Sequence, residues 1–143
     1  MNGVERVAEV LGGQPVLRAS VRTWLDLERL VQAGLPKRAL QHVARHAVGP
    51  DEPINELVYR VVPAATFKRR TRLSAEESQR TERLARVIAL AESIWDDPAA
   101  SRDFLNRPHP LLGNEAPLDA AQSELGARRV ERLLYDVEHG LPL

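Results

Sequence analysis

The sequence predicts an all-α fold. Apolar residues recur at the three- and four-residue spacing of a helix along most of the 143-residue chain. Capping residues and prolines stand before these periodic segments, and glycines often stand after them. Aromatic residues make up only 4% of the chain and runs of β-branched residues are short, so no segment has the character of a strand.

The N-terminal part of the chain predicts short helices. Residues 3–11 form the first, closed by a Gly-Gly pair. Ser20 is placed to cap a second helix that runs through Ala33, and Gly34 then ends it. The apolar side of this second helix is predicted to contain Trp24, Leu27, Leu30 and Val31.

The next helices have the outline of a helix-turn-helix. Pro36 suits the first turn of a helix that Gly49 ends. Residues 51–53 begin another short helix, which Pro63 must interrupt because proline lacks the N–H group and clashes with the preceding turn. A basic segment follows at once from Ala64, and two short helices across a tight break are typical of this motif.

The clearest helix start in the chain is Ser74. Ser74 and Glu77 form a capping box, in which each side chain accepts a hydrogen bond from the other residue's N–H. The helix is predicted to run to about Trp95. Asp97 and the following proline then cap and begin a further helix.

The C-terminal part predicts a loop, two helices and a short tail. Residues 107–116 are marked as a loop by proline and glycine. Pro117 begins a helix through Leu125, and Gly126 marks a break or a close approach. The last helix ends at Gly140 and is followed by an apolar tail.

Composition indicates a soluble folded protein with two oppositely charged halves. No apolar run approaches the length of a membrane span, and the N-terminus lacks signal-peptide features. With no cysteine there is no thiolate chemistry, and the cytoplasm is the expected setting. Residues 1–73 carry ten Arg and two Lys against seven acidic residues, whereas residues 74–143 carry eight Arg against thirteen. This asymmetry favours different partners for the two halves.

Residue patterns that would indicate an enzyme are weak. His42 and His46 share a helix face at a spacing that zinc uses, but a third ligand and a glutamate base are missing between them. The pair Asp96-Asp97 is interpreted as a cap rather than a general acid and base. We therefore expect no catalytic residues, no metal site and no cofactor.

The basic stretch is the candidate nucleic-acid contact. Four cations within about one and a half helical turns repel one another unless they are solvated or face phosphate. Placed on one helix from Ala64, Lys68 and Arg72 would share a face. The alternative is an ordinary solvated basic face. The candidate DNA-binding residues are Thr66, Lys68, Arg69, Arg70 and Arg72.

Residues 73–143 resemble the toxin-binding domain of the Xre/MbcA/ParS antitoxins. The resemblance follows the family pattern in order and with the right spacing. Upstream, residues 66–70 resemble the end of the family's Xre-like helix-turn-helix. The motifs that carry the resemblance are Leu73-Ser74-x-Glu76-Glu77-Ser78-x-Arg80, Arg83-Leu84-Ala85-Arg86-Val87, Arg107-Pro108-x-Pro110-x-Leu112-Gly113, Pro117-Leu118, Glu124-x-Gly126, Val130-Glu131-x-Leu133-Leu134 and Val137-Glu138-His139-Gly140.

This resemblance implies an antitoxin of a type II toxin–antitoxin pair. It implies a DNA-binding and dimerisation domain over residues 1–73 and a toxin-binding domain over residues 74–143. The implied partners are a RES-domain toxin that consumes NAD⁺, the operator DNA of the protein's own promoter and a second copy of the chain. The tail would block the toxin's NAD⁺ pocket, through Glu138, His139, Gly140, Leu141, Pro142 and Leu143. The alternative is a stand-alone helix-turn-helix regulator that uses its C-terminal domain only to dimerise.

Overall fold

The computed structural model describes residues 1–140, and this part of the chain folds into helices joined by short loops, which confirms the all-α prediction. One turn of 3-10 helix, Pro110–Leu112, lies between the helices Pro98–Asn106 and Pro117–Ala120. Among the described residues, none of the helices is long and apolar enough to cross a membrane. The α-helices are α1 Gly3–Val10, α2 Gly13–Leu17, α3 Trp24–Ala33, α4 Lys37–Val48, α5 Asn55–Val61, α6 Ala64–Arg69, α7 Ala75–Ile94, α8 Pro98–Asn106, α9 Pro117–Ala120 and α10 Glu124–Glu138.

The caps of α7 and α8 form as predicted. Ser74 Oγ accepts a hydrogen bond from Glu77 N at 3.1 Å, and Glu77 Oε1 accepts one from Ser74 N at 2.8 Å. Asp97 caps α8 by accepting from Ala99 N at 3.0 Å. These reciprocal and short-range bonds satisfy N–H groups that a helix leaves unpaired at its start.

The cap of α3 is Thr23 and not Ser20, so the predicted start is wrong by about one turn. Thr23 and Asp26 form a capping box, and the Asp26 carboxylate also accepts from Arg22 N at 3.0 Å. Hydrogen bonds from the Arg22 and Thr23 backbones lower the pKa of Asp26. Because the helix starts late, Trp24 lies in its first turn and is 53% exposed instead of buried.

The helix that starts at Pro117 is also shorter than predicted. It ends at Ala120, and Ser123 begins α10 by accepting a hydrogen bond from Gly126 N at 3.0 Å. The predicted close approach at Gly126 is confirmed, because a Cβ there would lie 1.7 Å from Ala120 O. Only glycine therefore allows α10 to begin so soon after α9.

Helix α7 is the centre of the structure. It packs against α1, α3, α4 and α5 on the N-terminal side and against α8 and α10 on the C-terminal side. One continuous apolar core results, although the boundary predicted at residue 73 stays a prediction. Small and polar residues among the buried positions of α7 permit close packing. The buried residues of α7 are Ser78, Thr81, Leu84, Ala85, Val87, Ile88, Ala89 and Ala91.

Backbone pairing holds the segment before α7 against the loop between α3 and α4. Leu73 N donates to Leu35 O at 2.8 Å, and Leu73 is buried. Gly34 has a φ of 94°, and a Cβ there would lie 2.6 Å from Leu73 O. From α7, the buried Ser78 Oγ accepts a hydrogen bond from Leu35 N at 2.8 Å. Buried polar contacts thus join the loop to the helix.

We expect Ser78→Ala to lower the free energy of unfolding by roughly 1–3 kcal/mol, because it leaves the buried Leu35 N–H without an acceptor. Denaturant unfolding followed by circular dichroism measures the change. Ser93→Ala is the matched control: it makes the same helix-propensity change on the exposed side of α7. Equal stability of the two variants would contradict a structural role for the Ser78 hydroxyl.

Charged side chains form the polar edge of the contact between α7 and α10. Arg86 lies between two carboxylates, with Nε 2.8 Å from Glu131 Oε1 and Nη1 3.8 Å from Glu82 Oε1. Burial raises the pKa of Glu82; Arg86 opposes this and Glu131 adds to it. The charged form of Glu82 is therefore less stable in the folded protein than in the unfolded chain.

Glu82→Gln is accordingly expected to raise the melting temperature at neutral pH. A carboxyl whose folded pKa is raised favours the folded state at low pH and loses that contribution as pH rises through the folded pKa. The gain from glutamine should thus shrink as the pH falls below the carboxyl's pKa. Thermal unfolding between acid and neutral pH tests this, with the exposed Glu115→Gln as control. A loss of stability at pH 7 would show that the ion pair with Arg86 outweighs burial.

Candidate nucleic-acid and partner-binding surfaces

Helices α5 and α6 form the helix-turn-helix-like pair predicted from the sequence. Two residues, Val62 and Pro63, separate them. Phe67 anchors α6: it is buried, and its ring meets Tyr59 of α5 edge-on at 6.2 Å. Because α6 has only six residues, few side chains can point away from the core toward a ligand.

The outer side of α6 presents part of the predicted basic cluster. Lys68 and Arg69 are both exposed. Arg69 lies back along its own helix, with Nε donating to Ala65 O at 3.3 Å and Nη2 donating to Thr66 Oγ1 at 3.4 Å. Thr66 is half-buried beneath it. The helix therefore brings together three of the five predicted residues.

The other two predicted residues, Arg70 and Arg72, are not on the helix, and the expectation that Lys68 and Arg72 share a helical face is wrong. Arg70 is the extended C-cap of α6 and forms an ion pair with Glu77 of the capping box. Arg72 pairs through its backbone with Pro36, and its Nη1 donates to Gly34 O at 2.6 Å. The chain is extended here, and its backbone pairs with the loop before α4.

Lys37, which the sequence analysis did not single out, also belongs to this surface. Its Nζ lies 4.9 Å from the centre of the Phe67 ring and donates to Phe67 O at 3.1 Å. Lys37 is the first residue of α4, where the helix dipole disfavours a cation. A lysine at such a position indicates that a group elsewhere in the fold stabilises its charge, and this could have been recognised from the sequence. Lys37 thus donates a hydrogen bond to a carbonyl near the end of α6.

The exposed end of α10 contains the described part of the predicted toxin contact. Glu138, His139 and Gly140 are all exposed. The His139 ring stacks on Tyr135 at 4.1 Å, and its Nδ1 lies 2.9 Å from Tyr135 O, where a protonated nitrogen donates to the helix end. Gly140 has a φ of 67°. Leu141, Pro142 and Leu143 lie outside the described residues.

An apolar groove of about 360 Å³ runs beside this helix end. Trp24, Leu90 and Tyr135 line it, and Arg6 and Glu138 stand at its edges. Trp24 and Tyr135 are each about half exposed, so the groove offers aromatic surface to a partner. Sequence reasoning missed this groove because it assigned Trp24 to the core.

Polar contacts join the helix-turn-helix pair to the C-terminal helices. Arg80 of α7 uses Nη2 to donate to Arg60 O at 3.2 Å and to Gln122 Oε1 at 3.1 Å. Arg60 also forms an ion pair with Asp119 at 2.8 Å. The end of α5 is therefore bonded both to α7 and to the α9–α10 segment. This network fixes the two candidate surfaces relative to each other.

The two histidines considered for zinc have different surroundings. His46 Nδ1 lies 2.8 Å from Glu92 Oε2. Burial lowers the pKa of His42, and the nearby Arg38 and His46 lower it further. Within residues 1–140, no group of three His, Asp or Glu side chains is arranged to hold a metal ion.

Comparisons with known proteins agree with this division of surfaces. Residues 26–86 match the antitoxin Xre-like helix-turn-helix domain, and residues 90–140 match the antitoxin Xre/MbcA/ParS C-terminal toxin-binding domain. Antitoxin Xre of Pseudomonas putida is 25% identical over 87 residues, which cover 58% of this chain and 55% of that relative. The chain thus spans about half the length of this curated relative. Both domain matches occur in the family's order, and the chain belongs to the Xre/MbcA/ParS antitoxin family.

Proposed function

We propose that this protein is the antitoxin of a type II toxin–antitoxin pair, which neutralises its toxin through the C-terminal helices and binds its own promoter through α5 and α6. The main support for this proposal is that one chain contains both domain matches, the first over residues 26–86 and the second over residues 90–140. The two matched segments meet within α7, so both binding surfaces are built on a shared helix. In this role the chain binds rather than catalyses.

The proposed toxin is a RES-domain enzyme that consumes NAD⁺, and the C-terminal tail closes the entrance to its active site. Support comes from the resemblance of residues 137–140 to the end of the family pattern and from the exposure of Glu138, His139 and Gly140. An exposed helix end that leads into Leu141-Pro142-Leu143 can supply apolar anchors to a concave pocket. The aromatic groove beside Tyr135 adds surface for the same partner.

The proposed DNA contact is the outer side of α6, acting in a homodimer on a two-fold symmetric operator. Lys68 and Arg69 are exposed there, and Arg70 follows at the helix end. Phosphate contacts of this kind supply affinity and position, while few side chains on so short a helix remain to distinguish bases. Binding at its own promoter would repress the operon that encodes both proteins.

Deleting residues 140–143 is expected to leave the fold intact and to weaken neutralisation of the toxin at least about tenfold, because the pocket loses its apolar anchors. The readout is the NAD⁺ consumed by the purified toxin at increasing antitoxin concentration, with circular dichroism as the check on folding. Pro142→Ala, which keeps both leucines, is the matched control. Full neutralisation by the truncated protein would rule out the tail as a plug.

Replacing Lys68, Arg69 and Arg70 by alanine is expected to abolish promoter binding and to flatten its dependence on salt. The slope of log K against log salt should fall by about 0.9 for each phosphate that the variant no longer neutralises. Fluorescence anisotropy with a labelled promoter fragment measures both effects. The double variant Lys68→Ala with Arg69→Ala keeps the ion pair of Arg70 with Glu77, which separates the effect of phosphate binding from the effect of that pair.

The matched control for DNA binding is Arg29→Ala with Arg107→Ala, which removes exposed cations elsewhere on the surface. Unchanged promoter affinity in the triple variant would place the DNA contact on another part of residues 1–65. A protein that binds promoter DNA but no toxin would instead be a stand-alone regulator.

A further inference from the structure

A second exposed surface lies where α10 meets the 3-10 turn Pro110–Leu112. It is a shallow depression of about 510 Å³ with the buried Leu133 at its base. Leu111 and Leu125 stand at its edges and are 53% and 70% exposed. Three arginines and one aspartate complete it, and we refer to the whole as the Leu111–Leu125 surface: Leu111, Leu125, Leu133, Arg128, Arg129, Arg132 and Asp136.

The exposed Leu111 is held in place by its own turn. Leu111 N donates to His109 Nδ1 at 3.1 Å, and Leu111 O accepts from Arg129 Nη2 at 3.1 Å. The next residue, Leu112, is buried and anchors the turn in the core. Because the backbone of Leu111 is already held, binding here costs little backbone entropy, and the exposed side chain is suited to recognition.

The arginines around the leucines are available to a partner. Arg128 and Arg132 pair with Glu124 and Asp136 one turn away, each at 3.3 Å, while their own side chains remain 70% and 76% exposed. The Arg128–Glu124 pair is exposed on both sides and pairs of this spacing are weak, so a carboxylate on a partner can replace Glu124 at little cost. A cationic rim around apolar side chains is complementary to an acidic rim around an apolar projection.

We propose that the Leu111–Leu125 surface is a second contact for the cognate toxin and takes a toxin segment in which carboxylates surround an apolar side chain. This inference rests on the proposed function, and it extends the contact beyond the tail to the length of α10. The surface lies within residues 90–140, which match the toxin-binding domain. DNA fits it less well, because phosphates gain nothing from the exposed leucines.

The test measures toxin affinity by isothermal titration calorimetry with the purified product of the paired toxin gene. Leu125→Glu and Leu111→Glu are each expected to raise Kd at least about tenfold, since each puts a carboxylate against the acidic rim. Leu25→Glu is the matched control, an equally exposed leucine on α3 that should change Kd less than about twofold.

Charge reversal tests the electrostatic part of the contact. Arg132→Glu is expected to slow association and to weaken binding most at low salt. Arg107→Glu is its control: Arg107 is 71% exposed and also pairs with an aspartate one turn away. All the substituted leucines and arginines are exposed, so we expect these variants to fold normally.

Each outcome decides between the proposals. Loss of toxin affinity in Leu125→Glu, with promoter affinity unchanged, supports the second contact. Normal toxin affinity in these variants, while tail deletion still abolishes neutralisation, overturns this inference and leaves the proposed function standing. If the variants bind toxin normally but lose promoter binding, the surface contacts DNA and this inference is overturned. If they bind toxin normally but no longer form a dimer, the surface contacts a second copy of the chain and this inference is again overturned. If the unaltered protein binds no toxin, both proposals fail.

Discussion

The rest of the structure depends on the burial of α7 from both sides. A helix that packs against neighbours on opposite faces cannot be strongly amphipathic, and its side chains must be small where neighbours approach closely. Ala85, Ala89 and Ala91 meet that requirement, and all are buried. The polar Thr81 is tolerated because its hydroxyl donates to Glu77 O at 2.8 Å. The helix thus serves as one wall of the helix-turn-helix region and as one wall of the toxin-binding helices.

Around residue 73 the charge of the sequence changes from positive to negative, and the structure gives these charged residues separate contacts. In sequence, the segment from Lys68 to Glu77 has the appearance of a simple charge run. In the structure its members have separate tasks: Arg70 pairs with Glu77, and Arg72 bonds to Gly34 O. Much of the apparent basic surface is therefore used to fix the chain between α6 and α7. Arg70 and Arg72 are exposed as well, but these bonds hold their guanidinium groups, which leaves Lys68 and Arg69 as the cations on the outer side of α6.

Local features of the sequence were sufficient to predict the fold class and many helix ends. The capping box at Ser74, the cap at Asp97 and the end at Gly34 each depend on residues within one turn. The cap of α3 was predicted at Ser20, whereas Thr23 takes that place because it forms a capping box with Asp26. The position of Arg72 could not be predicted from the sequence, because its hydrogen-bond acceptor, Gly34 O, lies 38 residues earlier in the chain. For the same reason, the aromatic groove and the Leu111–Leu125 surface required the tertiary structure.

The short connection between α6 and α7 has a consequence for the protein's lifetime. A protease could cut the exposed segment from Arg70 to Arg72 only after its backbone pairing with the loop before α4 has opened. Such a cut would leave α7 with the C-terminal piece and uncover the faces of α1, α3 and α4 that pack on it. Neither piece would keep its core, so a single cut would remove both proposed binding surfaces together. The two proposed surfaces would therefore be lost at the same rate.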